Sequence, residues 1–169
     1  MDAYEMILTR KSVRSYTGKP VPDELIEKIL LAGTRAPSGM ANEPWRFSVV
    51  RDAGVKAEIA EQTKHTAIIN GADVLICLFF DTTVGYSAQK DANTMGACAQ
   101  NMLLAAHALG LGAVWIAEIL KNKDNVAAIC GVDGSRYELS VVIPIGYSAE
   151  DPEPRPRKHS VKDVLLSTK

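Results

Sequence analysis

The chain has 169 residues, of which 47% are hydrophobic and 23% are charged, and its formal net charge is −1. This composition predicts one folded domain over residues 1–169 and argues against a disordered chain. A nucleic-acid-binding protein would usually show a basic excess, which this chain lacks. The longest apolar run, residues 74–80, is too short to span a bilayer, and the first residues do not resemble a secretion signal. We therefore expect a cytoplasmic protein that does not bind a membrane.

Helices and strands are predicted to alternate loosely along the first half of the chain. A first helix is predicted from Asp2, where Glu5 completes a capping-box spacing, to about Lys11. A second helix is predicted from Pro22 to Gly33, because proline suits the first turn of a helix. The other elements predicted in this half are a strand over residues 45–50, a helix over 53–63 and a strand over 73–81 that is buried on both faces.

The second half is predicted to begin with the longest helix, over residues 87–109, whose apolar residues recur at helical spacing. A strand over 113–118, a helix over 123–130, a turn at Asp133-Gly134 and a strand over 137–145 are predicted to follow. The loose alternation and the hairpin-like turn predict an α+β fold rather than a doubly wound sheet.

The C-terminal tail combines rigid, basic and apolar residues. Prolines at positions 152, 154 and 156 predict an extended arm, which carries Arg155, Arg157 and Lys158. The residues beyond the arm are too apolar for a solvated end; they are Val161, Val164, Leu165 and Leu166. We expect this terminal segment to dock on the core, as a sheet-edge strand on a partner subunit.

Cysteine and histidine give no indication of a metal site. Cys77, Cys98 and Cys130 are isolated along the sequence, with no CxxC pair, so neither a zinc site nor a dithiol centre is predicted. They are expected to be buried, reduced, structural thiols. The three histidines are scattered without ligand spacing, so we expect no bound metal.

A cationic segment follows the first predicted helix. Residues 9–16 read TRKSVRSY and contain Arg10, Lys11, Ser12 and Arg14. One interpretation is a solvated helix end, since cations there are favoured by the helix dipole. The other is a chain that leaves the helix and points alternate side chains at one anionic ligand.

Two further segments differ from ordinary loops. Residues 37–45 read PSGMANEPW, and a simple connection between a helix and a strand would need neither Asn42 nor Trp45. Residues 110–118 read GLGAVWIAE; no strand precedes this GxG and no third glycine follows, which excludes a dinucleotide-binding fingerprint.

Together these motifs resemble the signature of the nitroreductase family, whose members are FMN-dependent oxidoreductases, and the resemblance covers essentially the whole chain. It implies a three-layer α+β fold with a mainly antiparallel central sheet flanked by helices. It also implies a homodimer that shares its active site and exchanges its C-terminal tail. Ala88, Ala92 and Gly96, four residues apart, would then lie on a helix at the dimer interface; packing within one chain is the alternative.

The resemblance assigns the FMN-binding residues. Arg10, Lys11 and Ser12 would hold the phosphate and the ribityl chain, and Arg14 would lie near the N1–C2=O edge of the flavin ring. The loop that contains Pro37, Ser38, Gly39 and Asn42 would cover the flavin of the partner subunit. The segment Trp115, Ile116, Ala117 and Glu118 would run beside the ring, and the backbone N–H groups after it would donate to N5 and O4. Arg157, and second to it Arg155 or Lys158, would contact the phosphate; no side chain is expected to act as a catalytic acid or base.

The implied activity is electron transfer from NAD(P)H through flavin N5 to a nitroaromatic, a quinone or a similar flat acceptor by a ping-pong mechanism. Two alternatives stay open from the sequence. The same fold could act on another substrate, such as an enone, a halogenated aromatic or flavin itself, or the protein could bind FMN as a sensor without turnover.

Overall fold

The computed structural model describes residues 2–150 and 153–169, so Pro152 of the predicted arm lies outside the described residues. A four-stranded sheet forms the centre of the molecule, in the order β1-β2-β4-β3. Its strands are β1 (Trp45–Val50), β2 (Val74–Asp81), β3 (Gly112–Ala113) and β4 (Tyr137–Gly146). Each described strand pair is antiparallel, which confirms the predicted α+β class and the antiparallel sheet.

Seven helices surround this sheet in the described part of the chain. They are α1 (Ala3–Thr9), α2 (Asp23–Gly33), α3 (Ala53–Ala60), α4 (Thr66–Gly71), α5 (Ala88–Ala108), α6 (Lys123–Ile129) and α7 (Val161–Val164). None of the helices described is long and apolar enough to cross a membrane.

The alternating side chains of β2 produce three layers. Val74, Ile76 and Leu78 pack in one core with residues of α2 and α5. Leu75, Cys77 and Phe79 pack in a second core with residues of α3, α4 and α6. Because successive side chains of a strand point to opposite faces, an apolar run of this length needs helices on both sides.

Several predicted elements are confirmed nearly to their ends, and the caps explain why. The Asp2 side chain accepts a hydrogen bond from the Glu5 backbone N–H at 2.8 Å and begins α1 as predicted. Helix α1 ends at Thr9 rather than Lys11. Pro22 precedes α2 as its N-cap rather than opening its first turn.

Two sequence predictions were wrong, and one helix was missed. The strand predicted over 113–118 ends at Ala113, because the chain makes a single bridge from Ile116 to Val142 and then turns into a 3₁₀ helix over Glu118–Asn122. The Asp133-Gly134 turn is not a hairpin; it connects α6 to β4, which pairs with β2 and β3. Helix α4 was not predicted, since its six residues have neither a capping side chain nor a long apolar period.

The tail also differs from its prediction. Residues 161–164 form the short helix α7 rather than a strand, because Ser160 and Asp163 form a capping box. Its apolar side chains do not dock on this chain: the exposed fraction is 78% for Val161 and 100% for Leu166.

Candidate functional site

The segment that follows α1 is held against the end of the sheet. The Val13 N–H donates to the Ala113 carbonyl at 3.1 Å, and the Thr17 N–H donates to the Tyr147 carbonyl at 2.9 Å. Residues 12–17 therefore run as an extended ribbon beside β3 and the end of β4.

Two glycines of the sheet allow this ribbon to lie close. A Cβ atom on Gly112 would come within 2.5 Å of Val13 Cγ1, and one on Gly146 would come within 2.9 Å of the Tyr16 ring. Val13 is buried by this approach. Its neighbours Ser12 and Arg14 line a cleft of about 240 Å³ together with Ser148 and Glu150. The alternation expected for a chain leaving a helix is thus present at Ser12 and Arg14.

Cations gather around this cleft. Burial lowers the pKa of Arg10, and the charge of Arg157 lowers this pKa further, so the two guanidinium groups lie close enough to repel each other. None of the ion pairs between described residues involves Arg10, Arg14 or Arg157. Two neighbouring cations that lack a carboxylate form an attractive site for a bound anion.

The tail contributes to this cation group through one residue. Arg157, the first choice from the sequence, lies near Arg10. Arg155 and Lys158 are exposed, and the structure records no contact between either of them and the cleft. Glu150 borders the cleft near Arg14, and its carboxylate opposes an anion there. A phosphate therefore fits better at the Arg10–Arg157 end.

His107, which was not a candidate from the sequence, contacts Thr9 at the end of α1. The Thr9 hydroxyl donates to the Glu5 carbonyl at 2.8 Å, which leaves its oxygen to accept a hydrogen bond from His107 Nε2–H at 3.0 Å. Burial lowers the pKa of His107, and the charges of Lys11 and Arg10 lower it further. The scattered positions of the histidines gave no signal for this contact, which joins α1 to the end of α5.

An apolar cavity of about 410 Å³ lies on the other side of the β3 segment. Its walls include Ala88, Ala92 and Gly96 of α5, with Trp115 and Ala117. The Trp115 ring is 40% exposed, and its Cζ/Cη end lies 3.7 Å from where a Cβ on Gly96 would stand. Trp115, which lines this cavity, stands two residues beyond Ala113, whose carbonyl accepts the hydrogen bond from Val13.

The backbone beside the cavity has unused donors. The Ile116 N–H donates to the Val142 carbonyl at 3.0 Å, so it is not available to a ligand. Among the described residues, the N–H groups of Ala117 and Glu118 have no carbonyl partner outside the 3₁₀ turn that they begin. These two N–H groups are the ones positioned to bind an acceptor in the site.

The sequence left the role of the Glu118 side chain open. In the structure its carboxylate makes contacts that stabilise the fold. Its Oε2 accepts hydrogen bonds from Thr63 Oγ1 at 2.6 Å and from the Lys64 N–H at 3.3 Å. Its Oε1 pairs with Lys121 at 2.6 Å. The hydrogen bond from Lys121, followed by that from Thr63, lowers the pKa of Glu118 to about 2. The carboxylate therefore ties the 3₁₀ turn to the α3–α4 connection.

The loop at residues 37–42 lies elsewhere in the chain. Asn42 Nδ2 donates to the Val84 carbonyl at 3.0 Å, and a Cβ on Gly39 would overlap the Tyr86 hydroxyl. Ser38 Oγ accepts from the Glu43 N–H at 3.3 Å. Pro37 opens the loop, and no described contact joins the loop to the Arg10–Arg14 ribbon. Within one chain the structure does not bring these predicted residues to the cleft.

This loop is nevertheless unusual. Met40, Ala41 and Glu43 have φ angles of +56°, +54° and +45°, a region that side chains other than glycine rarely adopt. Asn42 Oδ1 is buried and has no hydrogen-bond partner among the described residues. The Met40 side chain is 85% exposed. Such a strained loop with an exposed apolar tip is typical of a contact surface.

These groups fit FMN, the cofactor that the resemblance implies. Arg10 and Arg157 suit a phosphate, Ser12 suits a polyol, and the apolar cavity beside Trp115 suits a flat ring. The free N–H groups of Ala117 and Glu118 suit acceptor atoms on the edge of such a ring. The described residues include no group of three or more His, Cys, Asp or Glu side chains that could hold a metal ion.

Comparison with known proteins gives consistent matches over nearly the whole chain. The Nitroreductase family model matches residues 7–73 and 55–147. A Methanothermobacter thermautotrophicus protein assigned as an NADH dehydrogenase/NAD(P)H nitroreductase is 37% identical over 163 residues, which cover 92% of this chain and 82% of the relative.

Two crystal structures extend the comparison. A Desulfovibrio desulfuricans protein assigned as a nitroreductase, in complex with FMN, has a TM-score of 0.93 and 36% identity, covering 100% of this chain and 98% of that one. The NADPH:FMN oxidoreductase of Vibrio harveyi, complexed with NAD+, has a TM-score of 0.86 and 25% identity, covering 98% of this chain and 76% of that one.

Proposed function

The chain belongs to the nitroreductase family and is an NAD(P)H-dependent FMN oxidoreductase, and we propose that its acceptors are nitroaromatics, quinones or similar flat molecules. Arg10, Ser12, Arg14 and Arg157 would hold FMN, which would supply the electron transfer between NAD(P)H and the acceptor in the ping-pong order that we propose. The protein supplies binding, orientation, electrostatics and exclusion of water.

The first contribution of the chain is to hold the phosphate. Arg10 is partly buried at the end of α1, and the charge of Arg157 is near enough to lower its pKa, so a phosphate bound beside Arg10 would be attracted by both cations. Bringing them together costs repulsion, which a bound phosphate removes. Lys11 and Ser12 complete this end of the site. This grouping of cations without a carboxylate is the observation that carries the proposal.

The second contribution is electrostatic. Arg14 follows Val13 on the clamped ribbon, and its Nη1 lies 3.4 Å from the Ser12 carbonyl. A guanidinium held in place in this way would stabilise the negative charge that reduction places on the N1–C2=O edge of the ring. Arg14 thereby favours the reduced cofactor more than the oxidised one.

The third contribution is a set of backbone donors. The Ala117 and Glu118 N–H groups begin a 3₁₀ turn that is anchored by the Glu118 carboxylate. Fixed donors of this kind raise the electron affinity of a flavin when they bind N5 and O4. Trp115 and the small residues of α5 would keep water away from the ring.

A homodimer with shared sites completes the proposal. Ala88 and Ala92 are exposed on α5 rather than packed within the chain, so the alternative of intrachain packing has no support. Helix α1 buries none of its residues, and Tyr4, Ile7 and Leu8 are 71%, 55% and 59% exposed. Apolar surfaces of this kind favour contact with a second chain. The partner's loop that contains Pro37, Ser38, Gly39 and Asn42 would then cover the flavin.

Purification and turnover test this function. The protein should be yellow and release FMN rather than FAD on heating, and it should oxidise NAD(P)H when a quinone is added. Initial-rate plots against NAD(P)H at several acceptor concentrations should be parallel. A protein that cannot be reconstituted with FMN would overturn the proposal. FMN binding without turnover would leave the sensor alternative, and intersecting lines would exclude the ping-pong order.

A further inference from the structure

Two of the three cysteines meet inside the second core, although 53 residues separate them in the sequence. Cys77 lies in the middle of the central strand β2 and is fully buried. Cys130 is the C-cap of α6 and is partly exposed. Their Sγ atoms are 3.8 Å apart, which places the two sulfurs in contact.

We propose that Cys77 and Cys130 are a modification site, at which hydrogen peroxide forms a reversible disulfide between α6 and the central sheet. This site is independent of the flavin site, and it uses residues for which the oxidoreductase activity gives no role. Intracellular disulfides that persist are rare, whereas reversible ones in redox-sensitive positions are well established.

The two thiols have different environments, which assigns their roles. The hydrogen bond from Cys77, with a further contact from Ser48, lowers the pKa of Cys130 to about 7. The hydrogen bond to Cys130 and complete burial raise the pKa of Cys77. With both thiols neutral, Cys130 donates to Cys77 Sγ; once Cys130 loses its proton, the Cys77 S–H donates to the Cys130 thiolate. Because the pKa of Cys130 is lowered, Cys130 is the thiol that ionises first, and the thiolate is the reactive form.

The chemistry balances with peroxide as the oxidant. The Cys130 thiolate attacks one oxygen of hydrogen peroxide, the O–O bond breaks, and the departing hydroxide takes up a proton to become water. The Cys77 sulfur then attacks the Cys130 sulfenic acid, the S–O bond breaks, and the Cys77 proton leaves with the hydroxyl as a second water. Two thiols are oxidised by two electrons, and peroxide is reduced to two waters.

The local structure allows the sulfurs to approach. A disulfide bond is about 2.05 Å long, so the sulfurs must move together by roughly 1.8 Å. Cys130 follows the last residue of α6 as its C-cap, directly before Gly131, whose φ of +66° ends the helix. The movement therefore falls on a helix end rather than on the rigid centre of the sheet.

Cys98 provides the matched control. It is buried in the first core on α5, on the opposite side of the sheet, and burial raises its pKa to about 12. The structure gives it no thiol partner among the described residues. Peroxide should leave Cys98 reduced.

The experiment uses the full-length protein as purified with its bound cofactor. The reduced protein is exposed to hydrogen peroxide, denatured, alkylated with N-ethylmaleimide and analysed by intact mass and peptide mapping. The expected product has one alkylated cysteine, Cys98, and a cross-linked peptide that joins Cys77 to Cys130. Dithiothreitol should restore three alkylated cysteines. The proposal is overturned if all three cysteines remain alkylated, or if Cys130 is oxidised further without a cross-link.

Variants separate the roles of the thiols. Cys98→Ser should form the cross-link at the rate of the unchanged protein. Cys130→Ser should abolish the cross-link. Cys77→Ala removes the hydrogen bond that lowers the pKa of Cys130, so a sulfenic acid should form there more slowly than in the unchanged protein, and a dimedone probe should capture it because no second thiol remains to react with it. If Cys77→Ala does not fold, peptide mapping of the unchanged protein still decides the outcome. The rate should rise about tenfold from pH 6 to pH 8, following ionisation of a thiol with a pKa near 7; a flat profile would contradict the assigned nucleophile.

Discussion

Two groups of arginines in this molecule differ in whether they bind a carboxylate of the chain. At the end of β2, Asp81 is completely buried and accepts from Arg46 at 2.9 Å and from Arg136 at 3.0 Å. Its second oxygen accepts from the Thr83 hydroxyl at 2.6 Å, so the group is closed. Near the other end of the sheet, Arg10 lies within the electrostatic influence of Arg157, and no ion pair between described residues includes either of them.

The difference distinguishes a structural ion group from a binding site. The Asp81 group satisfies its own charges, because two cations share one anion and the anion has hydrogen bonds on both oxygens. The Arg10 group is destabilised by its own repulsion until an anion arrives. Mutation should therefore affect folding at the first group and ligand binding at the second.

The largest effect is expected at the closed group. Asp81→Asn removes the anion and leaves two arginines facing a neutral amide, so the free energy of unfolding should fall by about 2–4 kcal/mol. The hydrogen bonds from Arg136 and Thr83 hold the pKa of Asp81 well below its ordinary value. This stabilisation is present above the ordinary aspartate pKa of about 3.9 and is lost as pH falls below it.

Urea unfolding at several pH values tests this prediction. Asp81→Asn should be less stable than the unchanged protein at pH 7, and the two should converge at low pH. Glu27→Gln, an exposed change on α2, should stay within about 0.5 kcal/mol of the unchanged protein and serves as the control. Equal stability of Asp81→Asn at pH 7 would show that the closed group is not structural.

We call Arg10 and Arg157 the open group. Mutation of this group should weaken the binding of FMN. Arg157→Ala removes one charged partner of the phosphate and should weaken FMN binding by about 1.5–3 kcal/mol, without lowering the stability of the protein free of FMN. Riboflavin, which lacks the phosphate, should bind both proteins equally. Arg155→Ala is the matched change in the same arm and separates the two tail arginines. Fluorescence titration with FMN and riboflavin measures both affinities, and an equal loss for the two ligands would remove Arg157 from the phosphate.

Much of the fold was predictable because local patterns determine it. The 21-residue helix α5 has a regular apolar period, and β2 is an apolar run that ends at Asp81. Helix α4 and the turn after Ala113 were missed, since long-range contacts decide them. Ile116 has the apolar, β-branched character of a strand residue, yet only one bridge forms before Glu118 binds Thr63.

The candidate site was predictable to a smaller extent. The alternation of Ser12 and Arg14 follows from an extended chain, and the structure places both in one cleft. The approach of Arg157 to Arg10 joins the two ends of the sequence, and the Cys77–Cys130 contact joins a strand to a helix end. No local spacing encodes such contacts, because they depend on how the layers pack.

Mutation of Arg14 should slow the reduction of FMN more than it weakens the binding of FMN. Because the charge that it opposes appears on reduction, Arg14→Ala should slow cofactor reduction by NAD(P)H about 10–100-fold while weakening FMN binding less. Stopped-flow bleaching of the flavin and FMN titration measure the two effects. Arg14→Lys keeps a charge and should recover part of the rate. Equal losses of rate and affinity would make Arg14 an anchor like Arg157.

The smallest effect is expected for mutation of His107, whose pKa is lowered in part by the charge of Arg10 in the open group. Burial, then Lys11 and Arg10, lower the pKa of His107 in the folded protein, so the unfolded protein binds a proton more readily. Stability should therefore fall as pH decreases below the ordinary histidine value of about 6.5. His107→Gln keeps a donor toward Thr9 and should lose this part of the pH dependence. The difference between the two proteins isolates His107 from the other titrating groups.

Measurements with and without FMN separate the effect of burial on the pKa of His107 from the effect of the charge of Arg10. A bound phosphate offsets the charge of Arg10, so FMN should raise the pKa of His107 and reduce the pH dependence that separates the unchanged protein from His107→Gln. Thermal unfolding of both proteins between pH 5 and pH 8 (the range about the ordinary histidine pKa), with and without FMN, measures this change. If FMN leaves the difference unaltered, the phosphate does not offset the charges that lower the pKa of His107. The phosphate would then lie away from Arg10, against the interpretation of this group as an unfilled anion site.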